Sequence, residues 1–151
     1  MRGKYYSLIL ILMLFIFLPG CGGGADDLAP FDGVITINPD SVDVTDGGTT
    51  LQSHTQLFTI SVTDKDGIPV GPIKLNISYM WATPDPYGAV QLYDGNTPKD
   101  SPMNVFTDDY GIYNLRVDFT SGGGREYTAD VEVRSGSVYD SATISVSGGG
   151  A

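Results

Sequence analysis

Between Leu57 and Tyr79 polar and apolar residues change places at almost every step. Phe58, Ile60 and Val62 alternate with Thr59, Ser61 and Thr63, and further on Ile73, Leu75, Ile77 and Tyr79 alternate with Lys74, Asn76 and Ser78. Side chains on a strand point to opposite faces in turn, so this period of two predicts two strands, each with one apolar face. Asp66-Gly67 between them supplies a turn with positive φ, and Pro69 and Pro72 hold off the second strand until the connection is complete. A sheet with one dry face needs a second layer over it, and the rest of the chain supplies that layer.

The same alternation recurs along the chain. Ile35 and Ile37 predict a short first strand, Val42 to Val44 a second piece, Ala89 to Tyr93 a further run, and Met103 with Val105 another. Tyr113, Leu115, Val117 and Phe119 share one face of a longer strand. Tyr127, Ala129, Val131 and Val133 share a face of the next, and Ala142, Ile144 and Val146 a face of the last. The stretches 80–88 and 94–102 carry prolines and no period, and read as loops. No segment after Cys21 has a helical period, which predicts an all-β domain of seven to nine short antiparallel strands. Asp109, Gly111 and Tyr113 have the Asp-x-Gly-x-Tyr spacing of the tyrosine corner of immunoglobulin-like sandwiches, where the hydroxyl bonds back to the backbone. Leu115 then stands where disulfide-bearing members carry a cysteine; a plain tight turn with a core tyrosine is the other reading.

The N-terminus changes the picture. Arg2 and Lys4 precede an unbroken apolar run from Leu8 to Leu18, too short for a spanning helix and right for a secretory signal. The run closes on Leu18-Pro19-Gly20-Cys21, and Cys21 is the chain's single cysteine. This resembles the lipobox of bacterial lipoproteins, with Pro19 where a small residue is usual. The resemblance implies cleavage after Gly20 and a diacylglycerol thioether on Cys21, with Gly22 favouring the outer membrane over the inner. The expected division is a signal over 1–20, a lipidated flexible tether over 21–33, a β-sandwich over 34–147 and a flexible tail over 148–151. Taking Arg2 and Lys4 away with the signal leaves six of the 8 basic residues against 18 acidic ones, which disfavours nucleic acid and anionic lipid as partners.

The order Phe58 to Val70, then a strand over 73–79, then Thr107-Asp108-Asp109-Tyr110-Gly111-Ile112-Tyr113, resembles the bacterial immunoglobulin-like domains of the invasin and intimin type. That resemblance implies the sandwich fold and an extracytoplasmic role, and carries over no ligand-contacting residue.

Candidate chemistry is sparse. His54 is the only histidine, no cysteine remains for nucleophilic work and no G-x-S-x-G elbow is present, so an enzyme is not expected. Asp64, Asp66, Asp108 and Asp109 lie in turns where hard oxygen ligands could suit calcium, although the remaining ligands of an EF-hand loop are missing. Trp81, Tyr87 and Tyr93 on the irregular stretch could stack on a sugar, anchor a protein, or cap the sandwich. The expected function is a lipid-anchored envelope module that takes part in a surface assembly through a protein partner. An adhesin-like module for external carbohydrate or a host surface is the alternative.

Overall fold

The computed structural model describes residues 27–82 and 89–148. Ten strands follow in chain order: β1 Val34–Asn38, β2 Ser41–Thr45, β3 Gln52–Thr63, β4 Lys74–Trp81, β5 Val90–Asp94, β6 Thr97–Lys99, β7 Met103–Phe106, β8 Ile112–Ser121, β9 Tyr127–Ser135 and β10 Val138–Ser147. They form two five-stranded sheets, ordered β1-β3-β8-β5-β6 and β2-β10-β9-β4-β7. The fold is an all-β immunoglobulin-like sandwich. An immunoglobulin constant domain sets A-B-E-D against C-F-G. Here β1-β3-β8-β5 take the first order, and β4, β9 and β10 take C, F and G. The additions are β2 beside β10, β6 outside β5 and β7 outside β4.

Two expectations need correction. The described residues hold ten strands where seven to nine were expected, chiefly because Thr97-Pro98-Lys99, read as loop, pairs with β5 as an exposed edge. The sandwich is also not wholly antiparallel: β2 runs parallel to β10, Val42 opposite Ile144 and Val44 opposite Val146. After β1 the chain turns at Pro39-Asp40 and changes sheets, so β2 runs alongside the last strand in the same direction.

The core is what the alternation dictates. Phe58, Ile60 and Val62 of β3 and Leu115 and Val117 of β8 face Leu75 and Ile77 of β4, Val131 and Val133 of β9 and Ile144 of β10, all fully buried. Among the described residues no buried side-chain nitrogen or oxygen lacks a hydrogen-bond partner.

The two ends of the sandwich differ. At one end the chain enters: the carbonyl of Asp27 accepts from the N–H of Lys74, and the N–H of Ala29 donates to Ser135 Oγ at 2.8 Å, whose hydroxyl donates to the Lys74 carbonyl. The expected flexible tether through Gly33 is therefore attached to the body from Asp27 onward, because Ser135 joins it to β4. This end also holds the turns after β3 and before β8. The opposite end holds residues 46–51, Trp81-Ala82, 122–126 and Gly148, laced by bonds from Asp46 N–H to the Ser147 carbonyl and from Gly123 N–H to the Gly48 carbonyl. The chain thus enters at one end and leaves β10 at the other. Since β3 has 12 residues, the ends are separated by about 40 Å.

Candidate functional site

The two turns at the entering end are built alike. Asp64-Lys65-Asp66-Gly67-Ile68 and Asp108-Asp109-Tyr110-Gly111-Ile112 share the pattern Asp-x-x-Gly-Ile. In each, Asp Oδ1 accepts two backbone N–H groups, from Asp66 and Ile68 in the first (both 2.9 Å) and from Tyr110 and Ile112 in the second (2.9 and 2.8 Å). The glycine of each bonds back to the carbonyl of its aspartate, with φ of 80° at Gly67 and 72° at Gly111. An aspartate that accepts its own loop amides is a turn former, and the turn returns the chain into the next strand. The turns touch: Val62 N–H donates to the Gly111 carbonyl at 2.9 Å. The four proposed calcium ligands do not converge. One oxygen each of Asp64 and Asp108 is engaged by amides, and among the described residues no three histidine, cysteine or carboxylate side chains gather where a metal could be held.

The tyrosine corner lies elsewhere than expected. Tyr113, half-buried at the start of β8, donates its hydroxyl to Asp94 Oδ1 at 3.0 Å, a side-chain bond between neighbouring strands. Burial first, and the Asp94 carboxylate second, push its pKa above the ordinary tyrosine range. The corner's geometry is met by Tyr127 at the start of β9, the F position: its hydroxyl donates to the Thr120 carbonyl seven residues upstream at 2.6 Å. Two residues on, Ala129 is fully buried where disulfide-bearing relatives of the fold carry cysteine. The Asp-x-Gly-x-Tyr spacing around Tyr113 comes from the turn before β8, which occupies the E position.

Of the three aromatics expected on one loop, the two among the described residues are not brought together. Trp81 ends β4 and sits edge-on between Tyr79 and Tyr127, with ring centroids 5.5 and 5.4 Å away, packed against the core. Tyr93 lies in the other sheet, on β5, with the Arg116 guanidinium 4.5 Å over its ring. Tyr87 lies outside the described residues, as do Leu18, Pro19, Gly20 and Cys21. Trp81 is thus a cap on the end of the core. Around Tyr93, Arg116 makes two bonds to Asp118, at 2.9 and 2.6 Å, and Thr55 adds a third at 2.8 Å. Those bonds, Arg116 foremost, hold the Asp118 carboxyl below the usual carboxylate range.

One constellation escaped the sequence. At the far end Ser121 Oγ donates to Asp46 Oδ2 at 2.7 Å, and His54 Nε2 lies 2.7 Å from the same Oγ, its ring stacked on Phe119. These are the three residue types of a hydrolase triad in the wrong order. The serine proton goes to the carboxylate, so the imidazole donates N–H to the serine and has no lone pair there to act as base. Ser121 is also fully buried. The trio pins residues 46–51 over the sheet end instead.

That pin predicts a pH effect. The Ser121 bond first, then the Gly48 amide, hold the Asp46 carboxyl below its ordinary value of 3.8. A carboxylate with a depressed folded pKa contributes stability that is present above the unfolded pKa and lost as pH falls through the folded one. Ser121→Ala is expected to flatten acid denaturation below pH 3.8, leaving the slope due to Asp118. Urea midpoints measured from pH 6 to pH 2 check it, and an unchanged profile contradicts it.

No protein-family model matches the chain, and no curated protein matches it. Solved structures resemble it in fold. A conjugative transposon lipoprotein from Bacteroides eggerthii is 12% identical, with 76% of this chain and 98% of that one aligned at a TM-score of 0.44. The ASH/PapD-like domain of human CEP192 is 13% identical, covering 78% and 86%, with a TM-score of 0.42. The CFA/I adhesin CfaE of enterotoxigenic E. coli is 12% identical, covering 80% of this chain and 49% of that one, with a TM-score of 0.42.

The sequence could not show the Asp46–Ser121–His54 trio because its members lie 75 and 67 residues apart. The polar end of an otherwise apolar face was the only available signal: Ser121 follows Val117 and Phe119 in step, and a serine there needs partners.

Proposed function

We propose that this chain is a lipid-anchored immunoglobulin-like module of the bacterial cell envelope, serving as a structural or protein-interaction component of a surface assembly and not as an enzyme. The observation that carries the reading is the combination of the Leu18-Pro19-Gly20-Cys21 motif with a sandwich that the chain enters at one end. An anchor at Cys21 leaves the opposite end, about 40 Å away, free for a partner. The two Asp-x-x-Gly-Ile turns are its tie to the invasin and intimin type. Trp81, packed between two tyrosines, is poorly placed for the alternative role in carbohydrate binding. The outer membrane is the favoured site, since Gly22 follows the cysteine.

In-cell crosslinking of the full-length chain, with photoreactive residues at Leu51 or Met80 on the far half of the sandwich, tests this. Both side chains are exposed. Recovery of one envelope protein in near-stoichiometric yield is the expected result. Recovery of the uncrosslinked monomer alone contradicts the assembly role. Cys21→Ser is expected to move the chain from the membrane to the soluble fraction.

A further inference from the structure

Among the described residues ten large apolar side chains stand exposed, and six of them, Leu28, Phe31, Val34, Ile68, Phe106 and Tyr110, lie at or beside the end where the chain enters. Among the described residues the far end has Leu51 alone at its loops. Phe31, Ile68 and Tyr110 sit on turns and are 90%, 60% and 73% exposed. The turns adjoin one another. Gly33, which closes the first by donating to the Pro30 carbonyl, lies against the Thr63 carbonyl just before the second, and the second touches the third through Val62 and Gly111. A loop tip does not need a phenylalanine, an isoleucine or a tyrosine to turn, and large side chains in water offer nothing to the fold.

The covalent path says what covers them. Asp27 follows Cys21 by six residues, a reach of at most about 22 Å. We propose that this end of the sandwich rests on the bilayer itself, with Phe31, Ile68 and Tyr110 set into the headgroup region; the inference rests on the anchoring at Cys21 argued above. Aromatic and apolar side chains favour that interface, and the tether holds them beside it at high effective concentration, so modest contacts suffice. Asp27, Asp32, Asp66, Asp108 and Asp109 stand exposed at the same end and outnumber its exposed Lys65 and Lys74. The preferred surface is therefore zwitterionic, and anionic lipid lifts the end away. Docked in this way the sandwich stands upright, with Trp81 on the side remote from the membrane.

The test uses the full-length acylated chain, its lipid verified by the mass of the N-terminal peptide, in phosphatidylcholine vesicles carrying brominated acyl chains. Phe31→Trp and Tyr110→Trp, each combined with Trp81→Phe, are expected to lose more than half of their emission relative to unbrominated vesicles. Trp81 in the wild-type chain is expected to lose none. Adding phosphatidylglycerol should restore the emission at both tips. Hydrogen exchange needs no substitution in the sandwich itself: amides of 64–68 and 108–112 of the wild-type chain should slow on vesicles relative to Cys21→Ser in solution. An acylated, vesicle-bound chain with unquenched tips and unslowed turns overturns the docking and leaves the anchoring standing. Tips shielded by a protein while remaining unquenched by lipid overturn it equally. An unmodified Cys21 overturns both readings.

Discussion

Gly111→Ala is expected to destabilise the domain by roughly 3 kcal/mol or more, while Gly67→Ala, at the same place in the same motif, loses only about 1 kcal/mol. Both glycines have positive φ, so both substitutions meet the left-handed penalty. They differ in space. A Cβ on Gly67 meets nothing within 4 Å, whereas one on Gly111 falls 2.5 Å from the Val62 carbonyl oxygen and 2.6 Å from that of Val70. The Val62 oxygen is not free to retreat. The Val62 carbonyl accepts from Val70 N–H at 3.0 Å, and the Val62 N–H donates to Gly111 itself at 2.9 Å. Relief of the clash therefore pulls apart the contact between the two turns. Urea midpoints at constant m-value measure the pair. Equal losses would show that the turns do not press on each other as described.

Tyr127→Ala is expected to lose about 3–5 kcal/mol, the range for removing a buried aromatic, and Tyr127→Phe about 1 kcal/mol for the hydroxyl alone. Three roles converge on this ring. It is buried in the core, it stacks edge-on against Trp81, and its hydroxyl donates to the Thr120 carbonyl where the chain crosses between sheets. Removing the hydroxyl leaves that carbonyl under-satisfied beside the core, while removing the ring also frees Trp81. Tyr113→Phe is the control. Its hydroxyl bonds an exposed carboxylate that water can serve as well, so the substitution should be close to neutral. A larger loss from Tyr113→Phe than from Tyr127→Phe would return the corner to β8.

The contrast between those two tyrosines shows where reading the chain stops. The long strands β3, β4, β8, β9 and β10 were legible because a period of two depends only on neighbours in sequence. Thr97-Pro98-Lys99 was not, since an edge strand with no apolar side chain has no period to display. The parallel pairing of β2 with β10 joins residues about a hundred positions apart, Ser41 with Thr143 among them, and no local pattern encodes it. A tyrosine corner needs a particular strand position as well as a spacing. Asp109-x-Gly111-x-Tyr113 satisfied the spacing, but the F position belongs to β9 and to Tyr127. The attachment of Asp27 to Gly33 was hidden likewise, because a glycine- and aspartate-rich stretch looks like a tether until Ser135 supplies its partner. For the site, the sequence indicated Trp81 and Tyr93 as aromatics of interest but could not place them in different sheets. Sheet assignment is a property of the whole fold.

The most direct test of the account is the mass of the N-terminal peptide from the membrane-bound protein. A mature chain beginning at Cys21 and carrying a diacylglycerol thioether, with residues 1–20 removed, is the expected result. A membrane-bound chain with an unmodified cysteine, or one cut at another position, would contradict it.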